Sequence, residues 1–271
     1  MCALALGACG SDASAGGGEP NFDQDRAWKL LEYQVKLGAR PAGSPKSREL
    51  AEYIRVRLPR GRFEAVPGGL RNVVGEIPGK GKAILVAAHY DTKDIEGFVG
   101  ANDGAGGTAA LMELARALQR VKRPADAPPI RFVAFDGEEA TNDEDFYGTG
   151  VRGSKEYARK HAREIRELVL LDFIADKNLK IPREESSDTF MWADLRAAAK
   201  RVGASNAFPN EDQGTILDDH TPFVRRGIPS IDLIDFDFKC WHKTCDDMSA
   251  VSKKSLDLSG ETVLEFLTMD R

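Results

Sequence analysis

Apolar runs alternate with segments of helical periodicity along most of the chain. Runs that are apolar on both faces predict buried strands over 82–90, 130–135, 167–176 and 229–236. A less apolar strand is predicted before them, over 71–79. Apolar residues at helical spacing predict helices over 24–38, 45–58, 103–118, 153–162, 191–203 and 255–269. Buried strands separated by amphipathic helices are typical of an α/β domain in which helices cover both faces of a mainly parallel sheet.

The first twenty residues differ from the rest. An apolar stretch ends at Cys9, and the Gly-, Ser- and Ala-rich segment after it has the composition of a flexible linker. The stretch resembles the end of a bacterial lipoprotein signal, in which Cys9 would be lipidated, although it lacks a basic segment before it. A tail with an incidental cysteine is the alternative. We therefore expect a tail over 1–20, one domain over 21–271, and an extracytoplasmic protein that is lipid-anchored or secreted.

Composition narrows the class of protein. The chain of 271 residues is long enough for one large α/β domain with a substantial core. Its net charge is −5 and it contains no basic block, which argues against nucleic acid as a partner. No run approaches the roughly 18 apolar residues that a membrane span requires, so the sequence predicts no transmembrane helix.

Polar residues gather where the predicted strands end, and ligands bind outside the carboxyl ends of parallel strands. The residues at these ends and in the adjacent loops are His89, Asp91, Asp103, Asp136, Glu138, Glu139, Asp172, His220 and His242. Each has an ordinary explanation when taken alone; Asp103, for example, suits a helix cap. Carboxylates that converge, however, repel one another unless a cation neutralises them. A bound metal ion explains the whole set.

The residue types indicate which metal site this is. Histidine with carboxylates and without thiolates is typical of a catalytic site for zinc or a similar divalent ion. Cys240 and Cys245 flank His242, but the sequence offers no second cysteine pair that would complete a structural zinc site. We predict that these two cysteines form a disulfide that braces the His242 segment, with free thiols as the alternative.

Six short motifs follow one another from about Val73 to the C-terminus: AHYDT, ANDGAGG, FDGEEA, VLLDFIA, DDHTPF and WHKTCDD. In this order they resemble the zinc-dependent exopeptidase superfamily, which contains co-catalytic zinc aminopeptidases and the animal-type glutaminyl cyclases. The resemblance implies a single three-layer α/β/α domain with a mixed, mostly parallel central sheet. It also implies zinc as the cofactor, with one ion expected and two compatible with the residues present.

The resemblance assigns metal ligands residue by residue. Asp103, Glu139 and His242 match the ligands of the principal zinc. His89 and Asp172 match the additional ligands of a second zinc in the aminopeptidases. Asp91, two residues after His89, would orient that imidazole as a hydrogen-bond acceptor.

The same resemblance implies catalytic and substrate-binding residues. Glu138 would move protons, and Asp218 would share a proton with Glu138 and raise its pKa. Asp172 would also be a catalytic residue if it does not bind zinc. Three aromatic residues are expected to wall a pocket beside the metal: Trp241, Phe236 and Phe238. The substrate would be the free N-terminus of a peptide or protein.

Two chemistries compete for this set of residues. A glutaminyl cyclase converts an N-terminal glutamine to pyroglutamate and releases ammonia, whereas an aminopeptidase hydrolyses the first peptide bond with one or two zincs. The double acid Asp218-Asp219 and Trp241 favour the cyclase. Asp232 in place of a histidine, Leu217 in place of a glutamine, and the lack of a tryptophan after FDGEEA count against it. We favour the cyclase; an inactive binding protein is a third alternative, which the presence of Glu138 disfavours.

Overall fold

Residues 21–269 are described by a computed structural model, and they form layers of helices around a central sheet. In chain order the elements are α1 (Gln24–Leu37), α2 (Pro45–Arg55), β1 (Arg62–Val66), β2 (Leu70–Ile77), β3 (Ala83–His89), α3 (Gly107–Leu118), β4 (Ile130–Phe135), α4 (Phe146–Thr149), α5 (Arg152–His161), β5 (Ile165–Leu171), β6 (Arg183–Glu184), α6 (Thr189–Arg201), β7 (Asp212–Gln213), α7 (Thr221–Val224), β8 (Ser230–Leu233) and α8 (Lys253–Thr268).

The central sheet is mixed and mostly parallel, as predicted. Its strand order is β1-β2-β4-β3-β5-β8. Strands β4, β3, β5 and β8 run parallel to one another, whereas β2 is antiparallel to β4 and β1 is antiparallel to β2. The carboxyl ends of the four parallel strands therefore lie along the same edge of the sheet.

Helices cover both faces of this sheet, which confirms the three-layer architecture. Alternate residues of β3 point to opposite faces. Val86 and Ala88 join a large core with α1, α2, α3, α6 and α8. Leu85 and Ala87 join a smaller core with α5 and α7. Because β3 is buried on both faces, it is apolar along its whole length.

Several local features differ from the expectations. Strand β1 was not predicted, because it is a partly exposed edge strand without a strong apolar alternation. The two-residue strands β6 and β7 are too short to show a period. The helix predicted over 103–118 begins only at Gly107, since the backbone of Asp103 and Gly104 is not helical. Asp103 therefore does not cap this helix.

The expectations for the N-terminal tail concern residues 1–20, including Cys9, and lie outside the described part of the chain. The boundary at residue 20 accordingly stays a prediction. Within residues 21–269, no helix combines the length and the apolar character needed to cross a bilayer.

Candidate metal centre and catalytic cavity

Three neighbouring parallel strands deliver most of the predicted site residues to one edge of the sheet. His89 is the last residue of β3, and Asp172 follows β5 directly. Glu138 and Glu139 lie in the turn just after β4. Because β4, β3 and β5 are adjacent, side chains that lie far apart in sequence meet at this edge.

The deeper part of the centre is formed by His89, Asp103 and Asp172, which we call the inner ligand group. His89 Nε2 lies 3.3 Å from Asp103 Oδ1 and 3.4 Å from Asp172 Oδ1. All three side chains are buried. Burial alone would lower the pKa of His89, but the Asp103 and Asp172 carboxylates outweigh it and hold that pKa well above its ordinary value.

The part nearer the solvent is formed by Asp103, Glu139 and His242, the outer ligand group. His242 Nε2 lies 3.3 Å from Glu139 Oε2 and 3.7 Å from Asp103 Oδ2. Potential ligand atoms of each group lie within 4.8 Å of one another. Asp103 belongs to both groups, so its two oxygens face two different sets of partners.

The buried polar atoms of both groups fit a divalent cation. Both ring nitrogens of His89, Asp103 Oδ2 and both carboxylate oxygens of Glu139 are buried without a hydrogen-bond partner. Burial raises the pKa of Glu139 to about 7, and the Asp103 carboxylate adds to the shift. Burial likewise raises the pKa of Asp172 to about 7. A cation would satisfy these atoms and favour the ionised carboxylates.

Asp91 does not act as predicted. Its Oδ1 lies 3.8 Å from Nδ1 of His89, which is too long for a hydrogen bond. Instead its carboxylate accepts the backbone N–H groups of Gly137, Glu138 and Glu139, at 3.0, 3.1 and 3.3 Å. Asp91 therefore holds the turn that carries both glutamates rather than the imidazole ring.

A cavity of about 350 Å³ opens beside the outer group. Its polar wall includes Asp103, Glu138, Glu139, Asp172, Asp218 and His242. Its apolar wall includes Phe146, Phe173, Ile216, Leu217, Ile234, Phe236 and Trp241. Both glutamates line the cavity, but their surroundings differ, because Glu139 faces His242 while Glu138 lies near the Asp218 and Asp219 carboxylates.

Of the three predicted aromatic residues, Phe236 and Trp241 line this cavity and are 39% and 43% exposed. Their ring centroids lie 5.0 Å apart. The expectation for Phe238 is wrong, because its ring is buried in a small apolar cluster against Phe173 and is not among the cavity walls. Phe173 takes a place in the wall that the sequence did not suggest.

The electrostatics of the cavity suit proton transfer. Burial raises the pKa of Glu138 well above its ordinary value, and the nearby Glu139 and Asp218 carboxylates raise it further. Burial also raises the pKa of Asp218, whose Oδ2 is buried without a partner. Carboxyl groups of this kind can hold a proton near neutral pH and release it to a reacting atom.

Sequence reasoning missed two residues that support the centre. The Lys93 ammonium donates to the carbonyl of Ala140 at 2.9 Å and to the Asp143 carboxylate, and lies 3.8 Å from Glu139 Oε2. Asp246 is fully buried and accepts the backbone N–H of Asp103. Lys93 follows the motif AHYDT directly and Asp246 lies within the motif WHKTCDD, so both had a usable signal, although neither was given a role.

His220 lies beneath the cavity rather than among the ligands of the two groups. Its Nδ1 is 3.3 Å from Asp232 Oδ2, and its Nε2 is 2.9 Å from the hydroxyl of Ser186 and 3.3 Å from Glu184 Oε2. These polar side chains are buried or half-buried. Asp218, two residues before His220, is thereby set on a rigid base.

The predicted disulfide is present. Cys240 and Cys245 are bonded, with 5.4 Å between their Cα atoms. The five-residue separation encloses His242, whose backbone has a φ of 50°. Non-glycine residues adopt this left-handed conformation rarely, so the surroundings of His242 must hold it there.

Comparison with known proteins agrees with this geometry. Glutaminyl-peptide cyclotransferase of Bothrops jararaca is 29% identical over 90% of this chain and 82% of its own. Among solved structures, an Acidobacteriales bacterium glutaminyl cyclase has a TM-score of 0.80 and 29% identity, covering 98% of both chains. A leucine aminopeptidase precursor from Bacteroides thetaiotaomicron has a TM-score of 0.82 and 28% identity, covering 94% of this chain and 99% of its own.

A Zn-dependent exopeptidase from Parabacteroides distasonis is 25% identical, with a TM-score of 0.79, and covers 93% of this chain and 100% of its own. This neighbour implies zinc as the metal, which agrees with the histidine and carboxylate ligands of the two groups. The sequence profile of Peptidase family M28 matches residues 72–267. This range contains both ligand groups and every residue assigned to the cavity, and the chain belongs to Peptidase family M28.

Proposed function

We propose that this chain is a zinc-dependent glutaminyl-peptide cyclotransferase, which converts an N-terminal glutamine of a peptide or protein to pyroglutamate and releases ammonia. One observation carries the proposal: the carboxyl groups of Glu138, Asp172 and Asp218 line the same cavity as the outer ligand group. In both candidate reactions one carboxyl group must move a proton from the nucleophile to the leaving nitrogen. In the cyclisation both nitrogens belong to one substrate, and Asp172 and Asp218 on the same wall as Glu138 can hold the proton between the two steps. The curated relative and the bacterial cyclase support the same reading.

The outer group, Asp103, Glu139 and His242, would hold zinc, and zinc bound there would polarise the side-chain amide carbonyl of the substrate. Glu138 then takes a proton from the α-amino group as its nitrogen forms a bond to the amide carbon. The same carboxyl group delivers that proton to the amide nitrogen, which leaves as ammonia. Asp218 shares a proton with Glu138 and keeps it protonated long enough for this delivery. Trp241 and Phe236 exclude water beside the reacting groups.

We place one zinc at the outer group. In the inner group, His89 Nε2 lies within 3.4 Å of two carboxylate oxygens, so a proton on His89 can balance their charge without a second ion. Asp172 is then free to take part in proton sharing on the cavity wall.

An aminopeptidase is the second candidate, and one observation favours it. The inner group is complete and Asp103 belongs to both groups, so the residues of the two groups could together hold two metal ions. In that case Asp172 and His89 would bind the second zinc, and Glu138 would deprotonate a water that attacks the first peptide carbonyl. The leucine aminopeptidase neighbour supports this alternative.

Zinc content and two substrates separate the candidates. We expect one zinc per chain and ammonia release from a Gln-initiated peptide without release of a free amino acid. Free leucine released from a leucine anilide, together with two zincs per chain, would establish the aminopeptidase instead. Glu138→Gln should abolish the activity of either enzyme while leaving the zinc content unchanged. If the wild type turns over neither substrate, and Glu138→Gln does not differ from it, the chain has a binding role.

We also propose an extracytoplasmic location. The disulfide between Cys240 and Cys245 supports it, because such bonds persist in oxidising compartments. Lipidation at Cys9 would anchor the enzyme to a membrane, and mass spectrometry of the protein from its native host, with Cys9→Ser as the control, tests this anchor. Recovery of the unmodified N-terminal peptide would rule it out.

A further inference from the structure

His242 lies in a short irregular segment outside the sheet, residues 240–246, which we call the His242 loop. Successive turns form it: the N–H groups of Lys243 and Asp246 donate to the carbonyls of Cys240 and Lys243, each at 3.0 Å. Within it, His242 has a φ of 50°, a conformation that a non-glycine residue keeps only when its surroundings impose it. Turns of this kind do not by themselves fix a side chain as a strand ladder does.

The disulfide ties the exposed side of this loop to the body of the protein. Cys240 is half-buried and packs on an apolar cluster that contains Phe173, Ile234 and Phe238. Cys245 is exposed. The bond between them closes the backbone around His242, so the imidazole cannot move away without displacing residues that pack in the cluster.

The other end of the loop holds Asp103. Asp246 follows Cys245 and is fully buried. Its Oδ1 accepts the N–H of Asn102 at 2.8 Å and its Oδ2 accepts the N–H of Asp103 at 3.0 Å, while its carbonyl accepts the N–H of Ala101 at 3.2 Å. One seven-residue loop therefore positions two ligands of the outer group, one by carrying it and the other through three hydrogen bonds.

We propose that the Cys240–Cys245 disulfide and Asp246 are positioning elements for zinc, which set His242 against Asp103 and thereby the affinity of the outer group. With the loop closed, both side chains are already in place when zinc arrives. With the loop open, zinc binding must also order its backbone, so the free energy of binding falls. The inference rests on the proposed zinc site but not on the reaction that the enzyme catalyses.

Zinc affinity of the metal-free protein, measured by competition with a chromophoric chelator, tests the proposal. We expect the double variant Cys240→Ser/Cys245→Ser to bind the outer zinc about 10–100-fold more weakly, the range found when groups that orient metal ligands are lost. Asp246→Asn keeps the shape but replaces one of the two acceptor oxygens by an NH₂ group, which cannot accept a backbone N–H, and it should lower the affinity in the same direction. Thr244→Ser, an exposed change in the same loop, is the matched control and should leave the affinity unchanged.

The thermal midpoint of each metal-free variant shows whether the fold is retained. Affinities of the double variant and of Asp246→Asn within about twofold of the wild type would overturn the proposal. If the double variant does not fold, Asp246→Asn alone decides the outcome. The competition assay contains no peptide substrate, so a failure of the proposed cyclase activity would leave its result intact, and a normal affinity would leave the cyclase standing.

Discussion

The two sides of the metal centre are built differently. His89 and Asp172 stand at the ends of β3 and β5, two parallel strands that pair over most of their lengths. Asp103 and His242 stand on irregular segments that depend on single contacts, above all those of Asp246. We call these the strand-held side and the loop-held side.

The ligands on the two sides differ in how easily they can shift. On the strand-held side, a ligand can shift only if the sheet shifts, because His89 pairs with Phe135 of β4 and the Asp172 N–H donates to the Leu233 carbonyl of β8 at 2.9 Å. On the loop-held side, a ligand can shift when one carboxylate or one disulfide is lost. Zinc affinity should therefore respond most to changes in the loop-held side, and fold stability should respond most to changes in the strand-held side.

The largest effect is expected from His242→Ala. This change removes the only imidazole of the outer group, so the protein should lose its zinc on dialysis. The second-order rate constant for ammonia release, kcat/KM, should fall about 10³-fold or more, because a polarising metal stabilises the transition state by several kcal/mol. Metal analysis and the peptide assay measure the two results.

His89→Asn is the matched change on the strand-held side. It should retain one zinc per chain, since the outer group keeps all three of its ligands. The comparison between the two sides fails if His242→Ala keeps a full equivalent of zinc, or if His89→Asn loses it.

The second-largest effect is expected at Glu138, which lines the cavity but belongs to neither ligand group. Glu138→Gln keeps the shape of the side chain but removes its capacity to carry a proton. We expect kcat to fall about 10²–10⁴-fold, the range for loss of a general acid–base group, with the zinc content unchanged. A variant that retains more than a tenth of the wild-type kcat would exclude Glu138 as the proton carrier.

The sequence predicted the strand-held side more directly than the loop-held side. His89 and Asp172 adjoin buried apolar runs, so the position of each at the edge of the sheet follows from the pattern alone. Asp103 and His242 were candidates as well, but they lie in loops next to the strands, so the pattern alone did not fix their positions. Asp246 lies within the motif WHKTCDD but was given no role, because its role depends on a backbone more than 140 residues away, which no local pattern encodes.

The fold shows the same division. The four parallel strands were predicted because each is apolar on both faces, and burial on both faces leaves a strong signal. Strand β1 was missed because it has an exposed edge and takes its conformation from pairing with β2. Phe238 was placed in the cavity through the resemblance to the family, but its ring packs in the small apolar cluster that contains Phe173 and Ile234.

A third, smaller effect is expected at Asp172 on the strand-held side. This residue either binds a metal ion or shares a proton with the other carboxyl groups of the cavity. Asp172→Asn should keep one zinc per chain and lower kcat about 10–100-fold, the scale of a group that acts through a neighbour. Metal analysis of the variant alongside the wild type makes the measurement. A fall from two zincs to one would instead assign Asp172 to a second metal and favour the aminopeptidase.

The smallest effect concerns the stability of the fold. It is expected at Asp232 in β8, the strand next to β5 on the strand-held side. This residue is fully buried, and although His220 Nδ1 lies 3.3 Å from its Oδ2, neither of its carboxylate oxygens accepts a hydrogen bond. Burial raises its pKa well above the ordinary value, and the Asp218 and Asp172 carboxylates add to the shift. The folded protein therefore holds a proton on this carboxyl over a pH range in which the unfolded chain has released it.

Because the folded state binds the extra proton, its free energy of unfolding falls as the pH rises through this range, by about 1.4 kcal/mol per pH unit for one such group. Asp232→Asn cannot ionise and should lack this part of the slope. Urea unfolding of the metal-free proteins at pH 5 and pH 7 measures the difference, with the exposed Asp237→Asn as the control. Parallel curves for wild type and Asp232→Asn would mean that Asp232 is ionised in the fold, and the strand-held side would then need a cation of its own.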